Sequence, residues 1–303
     1  MNEPATAQRI KGPIVWLDMD QRELDDAYDQ SKYAANQQQV GRRRALLSEW
    51  ARARLGAPKR LAYGPAPIEG LDLYPARRPN APVVVFIHGG AWRHGSAHDN
   101  AYAAELFVNA GAHYIALDFS AVTDVGGDLM VLADQVRRAV AWVHRNAATF
   151  GGDPARLYVA GHSSGSHLAG VVLTTDWSRY GVPATIVKAG LCCSGMYDLK
   201  PVRLSARSTY VKFTDEIEQE LSSQRHLDRL NCPIIVAHGT LETPEFQRQA
   251  RDFHAALKAA GKPVQLVVGE QYNHFEMSET LNNPFVVAGR AALEMMGLAI
   301  KPA

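Results

Sequence analysis

The feature that most constrains this chain is the pentapeptide Gly-His-Ser-Ser-Gly at residues 161–165, which joins two segments of different character. The apolar residues 157–160 before it are typical of a buried strand, whereas the small residues 166–173 after it suit a helix. The bend between them is so tight that a side chain at either flanking glycine would collide with the neighbouring strand or helix. The pattern therefore predicts a sharp strand–turn–helix unit, with Ser163 at the apex of the turn.

A second glycine-rich segment lies upstream. Residues 83–87 form a continuous β-branched and aromatic run, typical of a strand buried on both faces, and residues 88–92 (His-Gly-Gly-Ala-Trp) follow it. Read alone, this segment could be a plain glycine turn after a buried strand. Together with the downstream Gly-x-Ser-x-Gly turn, however, it has the order found in α/β-hydrolases, where the serine is a nucleophile.

In that fold, backbone N–H groups hold the negative oxygen of a tetrahedral intermediate, and one such donor is worth about 3–4 kcal/mol. We expect the donors to be the N–H groups of Gly90 and Ala91, with Gly89 shaping the loop, and the N–H group of Ser164 after the nucleophile. Glycines suit this loop because they let the main chain approach the substrate closely.

Composition limits the alternatives. The chain has 303 residues, 47% of them hydrophobic, enough for one large α/β domain or two small ones. Its 32 basic and 31 acidic residues nearly balance, which gives no electrostatic sign of a nucleic-acid or anionic-membrane partner. The polar residues 1–6 do not resemble a signal peptide, and no apolar stretch reaches membrane-spanning length. Three cysteines in or beside apolar segments indicate reduced thiols, so we expect a cytoplasmic protein.

Strands and helices alternate from residue 60 onward, which predicts a mostly parallel sheet with helices on both faces. A helical pattern over residues 20–54, which Gly41 would interrupt, precedes them. We therefore expect an α/β-hydrolase fold with an N-terminal helical arm at residues 1–58 and a catalytic domain at residues 59–303, forming a single domain overall. The less regular, polar segment 198–231 would be an excursion above the sheet. The predicted strands are residues 71–75, 83–88, 113–118, 157–160, 186–192, 233–238 and 264–268.

A serine nucleophile needs a base and an acid, which follow it in the order acid, then histidine. Among eleven histidines, His274 lies in the loop after the last predicted strand, where the base belongs, whereas His254 lies in a helix-like stretch. Glu242 comes just after strand 233–238 and is our choice of acid. Glu245 is the rival, with an alternative role as a first-turn carboxylate favoured by the helix dipole, since Pro244 marks the helix start.

These residues lie in longer strings that resemble the kynurenine formamidase (arylformamidase) family of α/β-hydrolases, which is related to the hormone-sensitive-lipase-like esterases. The resemblance runs from about residue 60 to the C-terminus, with a looser similarity over residues 28–44. Three positions depart from the family strings: Glu242 and Asn273 stand where Asp is usual, and Ser164 replaces Ala or Gly. The similar strings are residues 63–64 with 71–75, 88–92, 150–154, 194–201, 242–249 and 273–275.

The resemblance implies attack of Ser163 on a formyl or short acyl group carried by an aromatic amine, with His274 moving the proton and with no cofactor or metal. Trp92, Tyr197 and Phe275 would present aromatic faces to the substrate, unless they simply pack in the core. A carboxylesterase acting on short-chain or aryl esters is the close alternative, and a non-catalytic binding protein is a third. A homodimer is left open.

A metallohydrolase is disfavoured. His94 and His98 lie four residues apart, but no His-Glu-x-x-His pattern or Cys/His cluster accompanies them.

Overall fold

The structure is a computed structural model that describes residues 10–299. Residues 1–6, on which the signal-peptide prediction rests, lie outside this range. A short antiparallel hairpin comes first, formed by β1 (Ile14–Trp16) and β2 (Met19–Asp20). The other strands form one sheet: β3 (Lys59–Ala62), β4 (Gly70–Tyr74), β5 (Ala81–Ile87), β6 (His113–Leu117), β7 (Gly152–His162), β8 (Val187–Cys193), β9 (Ile234–Gly239) and β10 (Val264–Gly269).

This eight-stranded sheet has the spatial order β10-β9-β8-β7-β5-β6-β4-β3. The six strands from β10 to β6 are parallel, whereas β4 and β3 pair antiparallel at one edge. Because the carboxyl ends of parallel strands meet at one edge of a sheet, the loops after β5, β7, β8, β9 and β10 lie together. The predicted α/β-hydrolase architecture is confirmed.

Helices cover both faces of the sheet. Strand β5 shows how the two cores are divided: Val83, Val85 and Ile87 join one hydrophobic cluster, whereas Val84 and Phe86 join the other. This alternation follows from the period of two along a strand, and it explains why the whole run is apolar. The helices are α1 (Gln21–Ala27), α2 (Gln37–Leu55), α3 (Ala104–Asn109), α4 (Leu129–Asn146), α5 (Ser164–Leu173), α6 (Lys200–Leu204), α7 (Asp215–Leu221), α8 (Pro244–Ala259), α9 (His274–Glu279) and α10 (Val287–Met295).

The N-terminal arm differs from the sequence prediction in where its helix breaks. Gly41 does not interrupt the pattern, because it lies inside α2 with open space where a side chain would be. The break falls between α1 and α2, where a 3-10 turn (Gln30–Tyr33) is capped by Asp29. Residues at the break contact remote parts of the chain, since Gln30 donates to Thr243 and Asn36 donates to Glu276.

Segment 198–231 is more ordered than its composition suggested. It contains α6 and α7, and its residues Val202, Val211, Ile217 and Leu221 are buried in a hydrophobic cluster. Its apolar residues are spaced by short helices and 3-10 turns rather than by one long period, which hides them from a periodicity argument. Between residues 10 and 299, no helix combines the length and apolarity needed to cross a membrane.

Candidate active site

The turn after β7 has the strained geometry that the sequence predicts. Ser163 joins β7 to α5 with φ +58° and ψ −127°, a conformation that costs a non-glycine residue about 1–3 kcal/mol. A Cβ atom on Gly161 would overlap the carbonyl oxygen of Gly165, and one on Gly165 would overlap that of Ile87. Only glycine therefore fits at the two flanking positions, and the Ser163 side chain is held at the carboxyl edge of the sheet.

Three side chains from distant parts of the chain form one hydrogen-bonded series. The Oγ atom of Ser163 lies 2.8 Å from Nε2 of His274, and Nδ1 of His274 lies 2.9 Å from Oε2 of Glu242. His274 is the first residue of α9, shortly after β10, and Glu242 follows β9. All three are almost fully buried. A hydroxyl, an imidazole and a carboxylate in this order form the geometry of a serine hydrolase.

The Glu242 carboxylate accepts two further hydrogen bonds. Its Oε1 atom receives the N–H of Gly239 at 2.7 Å and the hydroxyl of Ser194 at 2.6 Å. Burial raises the pKa of Glu242, and these two hydrogen bonds oppose that shift. Ser194 was not among the residues predicted from sequence. Its signal is its place directly after β8, at the same sheet edge, and its positive φ of 56° holds the hydroxyl there.

The rival acid Glu245 lies elsewhere. It is in the first turn of α8, where both carboxylate oxygens accept from Arg248, and the Tyr28 hydroxyl donates to it at 3.0 Å. Glu245 therefore ties the N-terminal arm to α8 and makes no hydrogen bond to His274. His254, in the predicted helix-like stretch, lies within α8.

The surroundings of His274 favour a neutral imidazole. Burial lowers its pKa below the ordinary value of 6.5, and the positive charges of Arg207 and Arg44 lower it further. A neutral ring can accept the Ser163 proton at neutral pH. The neighbouring His162, which burial also keeps neutral by lowering its pKa, donates from Nε2 to the main-chain oxygen of His274 at 2.8 Å.

The glycine loop after β5 is held against the start of α5. Gly90, Ala91 and Trp92 all have positive φ angles, of 115°, 54° and 60°. The Trp92 N–H donates to the Ser164 hydroxyl at 3.1 Å, so the serine that replaces the family's Ala or Gly fixes this loop. Within residues 10–299, the N–H groups of Gly90 and Ala91 have no hydrogen-bond acceptor. As the first residue of α5, Ser164 has no acceptor within its own helix.

A cavity of about 870 Å³ opens above Ser163. Gly89, Gly90, Ala91, His274 and the half-buried Phe275 line it. The opposite wall comes from the N-terminal arm and from the segment before α7, whose lining residues include Tyr28, Gln30, Arg44, Arg207 and Tyr210.

Two of the aromatic residues predicted to face a substrate do not line this cavity. Trp92 is buried, with its indole N–H donating to Nδ1 of His167 at 3.3 Å. Tyr197 is also buried, and its ring stacks on Phe253 at a centroid distance of 4.2 Å. The core-packing alternative is therefore correct for both rings, and Phe275 alone of the three lines the cavity.

The arginine side chains in the cavity wall include Arg44 and Arg207. In the described part of the chain, Arg44 and Arg207 form no ion pair, and the Nε atom of each is buried without a hydrogen-bond acceptor. Arg207 is only 9% exposed. Guanidinium groups without a carboxylate partner favour an anionic group in the cavity that they line, but Asp25, Asp29 and Asp99 line the same cavity and oppose this preference. Among residues 10–299, no three His, Cys, Asp or Glu side chains are grouped so that they could hold a metal ion.

The sheet order and the Ser–His–Glu series together define a serine hydrolase of the α/β-hydrolase fold. Family models support this class: one described as the prolyl oligopeptidase family matches residues 130–287, and one described as BD-FAE matches residues 71–180. A thermophilic esterase from Thermogutta terrifontis has the same fold, with a TM-score of 0.65, 21% identity, and coverage of 82% of this chain and 96% of that one.

Similar proteins of known name narrow the family further. A kynurenine formamidase from Danio rerio is 32% identical over 295 residues, which cover 93% of this chain and 98% of the relative. Esterase LipC from Mycobacterium tuberculosis is 29% identical over 228 residues, covering 67% of this chain and 56% of the relative. The chain belongs to the kynurenine formamidase family, and the model that matches residues 130–287 also places it in the prolyl oligopeptidase family.

Proposed function

We propose that this chain hydrolyses a formyl or other short acyl amide of an aromatic amine, through an acyl-enzyme on Ser163. The observation that carries the proposal is the hydrogen-bonded series Ser163–His274–Glu242 at the floor of a large cavity. The name of the Danio rerio relative, kynurenine formamidase, supports the same substrate class.

In the acylation step, His274 Nε2 takes the proton of Ser163 as Oγ attacks the carbonyl carbon. Glu242 holds the imidazole in the tautomer that leaves Nε2 free to accept, and it stabilises the imidazolium that forms. The N–H groups of Gly90, Ala91 and Ser164 would hold the negative oxygen. The C–N bond then breaks, and His274 gives its proton to the departing amine nitrogen.

In the second step, water attacks the acyl carbon with His274 again as the base. The carboxylic acid, formic acid for a formyl substrate, leaves and the Ser163 hydroxyl is restored. Phe275 offers an aromatic face to the leaving group, and the unpaired guanidinium groups of Arg44 and Arg207 favour a substrate that also carries a negative charge.

A carboxylesterase activity is the second candidate, because the same groups can open the weaker ester bond and an esterase is among the relatives. A purely binding role is disfavoured, since a binding protein has no need for a strained serine aligned with a neutral histidine. We also propose a cytoplasmic location, which the three buried free cysteines support.

The test is a substrate panel with purified protein. N-formyl, N-acetyl and longer-chain anilides are compared with matching phenyl esters by kcat/KM. A formyl anilide turned over faster than its acetyl and longer homologues supports the amidase, whereas activity confined to esters supports the second candidate.

Variants then test the mechanism. Ser163→Ala should lower kcat by about 10⁶-fold, as loss of the nucleophile does in a serine protease. Ser166→Ala is the control, because that hydroxyl contacts Tyr197 and not His274. Phenylmethylsulfonyl fluoride should label Ser163. An active Ser163→Ala protein, or labelling of a different serine, would overturn the mechanism.

A further inference from the structure

Asn36, at the start of α2, makes its side-chain contacts with another helix. An asparagine at this position usually caps its own helix and contributes about 1 kcal/mol, but the Asn36 side chain makes no such bond. Its Nδ2 atom instead donates to Oε1 of Glu276 at 2.7 Å, and its Oδ1 atom accepts from Nδ2 of Asn273 at 2.8 Å. Both partners lie at the N-terminus of α9: Asn273 directly precedes His274, and Glu276 comes two residues after it.

The partners determine how each amide is oriented. Asn273 caps α9, with Oδ1 accepting from the N–H groups of Phe275 and Glu276, so only its Nδ2 atom is free for Asn36. Glu276 can only accept: its Oε2 atom takes the N–H of Asn273 at 3.0 Å, which leaves Oε1 for a donor. Asn36 supplies one acceptor and one donor, and it satisfies both partners in one orientation of its amide.

This arrangement explains a departure noted in the sequence. Asp stands at position 273 in the strings of the resembling family, and Asp would cap α9 as well as Asn does. A carboxylate there, however, has no hydrogen to donate to Asn36 Oδ1. The asparagine at 273 is therefore matched to the asparagine at 36 and not to the capping role.

We propose that Asn36 and Asn273 form a matched amide pair through which the N-terminal arm positions His274. The inference rests on the proposed role of His274 as the base. Asn273 is the cap of α9 and His274 its first residue, so a shift of the cap moves the imidazole relative to Ser163 and Glu242. A displacement of 1 Å in such a constellation can reduce the rate by about 10²-fold.

The arm contacts α9 at a second place that serves as a control. Arg43 forms a two-bonded ion pair with Glu279, at the far end of α9 from His274. The Arg43 side chain is 49% exposed. Loss of this pair weakens the same docking without touching the cap, and an exposed pair contributes little to stability.

The first experiment compares Asn36→Ala with Arg43→Ala in the full chain. Asn36→Ala should lower kcat by about 10- to 100-fold and leave KM within about threefold, because only the alignment of the base changes. Inactivation by phenylmethylsulfonyl fluoride, which needs the same base, should slow in parallel. Arg43→Ala should keep kcat within about twofold. Equal effects of the two variants, or an unchanged kcat in Asn36→Ala, would overturn the proposal.

The second experiment exchanges the hydrogen-bond donor and acceptor that Asn36 meets at positions 273 and 276. Asn273→Asp keeps the cap but removes the donor, so it should lower kcat as Asn36→Ala does. Adding Glu276→Gln supplies a new donor: the amide at 276 can donate to Asn36 Oδ1 while Asn36 Nδ2 donates to the carboxylate at 273. We expect the double variant to recover most of the lost kcat. A double variant no better than Asn273→Asp alone would refute the matched pair.

A separate variant distinguishes this inference from the proposed function. If His274→Ala remains active, the proposed mechanism fails. If His274→Ala is inactive while Asn36→Ala retains the wild-type kcat, only the positioning role of the arm fails.

Discussion

Replacing Glu242 with glutamine exchanges one carboxylate oxygen for an NH₂ group, and so tests whether Glu242 is the acid that orients His274. Three donors converge on the two oxygens of this carboxylate, from Ser194, Gly239 and His274. An amide keeps only one of these oxygens. If that oxygen stays with Ser194 and Gly239, the NH₂ group faces Nδ1 of His274 and forces the proton onto Nε2. The imidazole then cannot accept the proton of Ser163.

The opposite orientation of the amide is disfavoured. It would place NH₂ against the N–H of Gly239, which is buried and cannot rotate away, at a cost of about 1–3 kcal/mol. The wrong histidine tautomer is thus the expected result. In a serine protease the same acid-to-amide change lowers kcat by about 10⁴-fold. That factor corresponds to about 5.4 kcal/mol of lost transition-state stabilisation.

The assay measures kcat for Glu242→Gln and Glu245→Gln on one substrate, together with the thermal unfolding midpoint of each. Glu245→Gln loses the charge that pairs with Arg248, so its midpoint should fall while kcat stays within about threefold. If Glu245→Gln damages kcat more than Glu242→Gln does, the acid is misassigned and the tautomer argument is wrong.

The acid limb of kcat/KM should lie below pH 6.5, because burial and then Arg207 and Arg44 disfavour the His274 imidazolium. Arg207→Gln should shift this limb to higher pH. If the limb stays in place in pH–rate profiles, the charge of Arg207 does not lower the pKa of His274. Ser164→Ala should lower kcat about tenfold with little change in KM, since the Trp92 N–H loses its acceptor and the donor loop loosens. A rise in KM as large as the fall in kcat would contradict this explanation. Activity should survive dialysis against a chelator, since the proposed oxyanion donors are backbone N–H groups; recovery on adding zinc would argue otherwise.

The fold and the main site residues could be predicted because both follow from order along the chain. Alternating strands and helices imply a parallel sheet, and a parallel sheet gathers the loops after its strands at one edge. Ser163 directly follows β7, and Glu242 and His274 come a few residues after β9 and β10; the structure brings the three into hydrogen-bond contact. Their catalytic roles remain predictions.

The directions in which the Trp92 and Tyr197 side chains point could not be predicted in the same way. Trp92 adjoins the glycine loop, but its positive φ of 60° turns the indole towards His167. Tyr197 follows a loop at the correct sheet edge, yet its ring packs against Phe253 in the core. Neither direction is encoded in spacing along the sequence. The break in the arm helix was also missed, because it falls at residues that contact remote parts of the chain and not at Gly41.

The contacts of the N-terminal arm have a consequence for synthesis. Asn36 meets Asn273 across 237 residues of sequence, and Tyr28 meets Glu245 across 217. A ribosome adds about 5–20 residues per second. The arm is therefore made roughly 10–50 s before Glu245 and Asn273 are added. During that interval the cavity lacks His274, the proposed base, and helix α9, whose first turn the arm contacts. We therefore expect the nascent chain to gain activity only after His274 and the rest of α9 have been made.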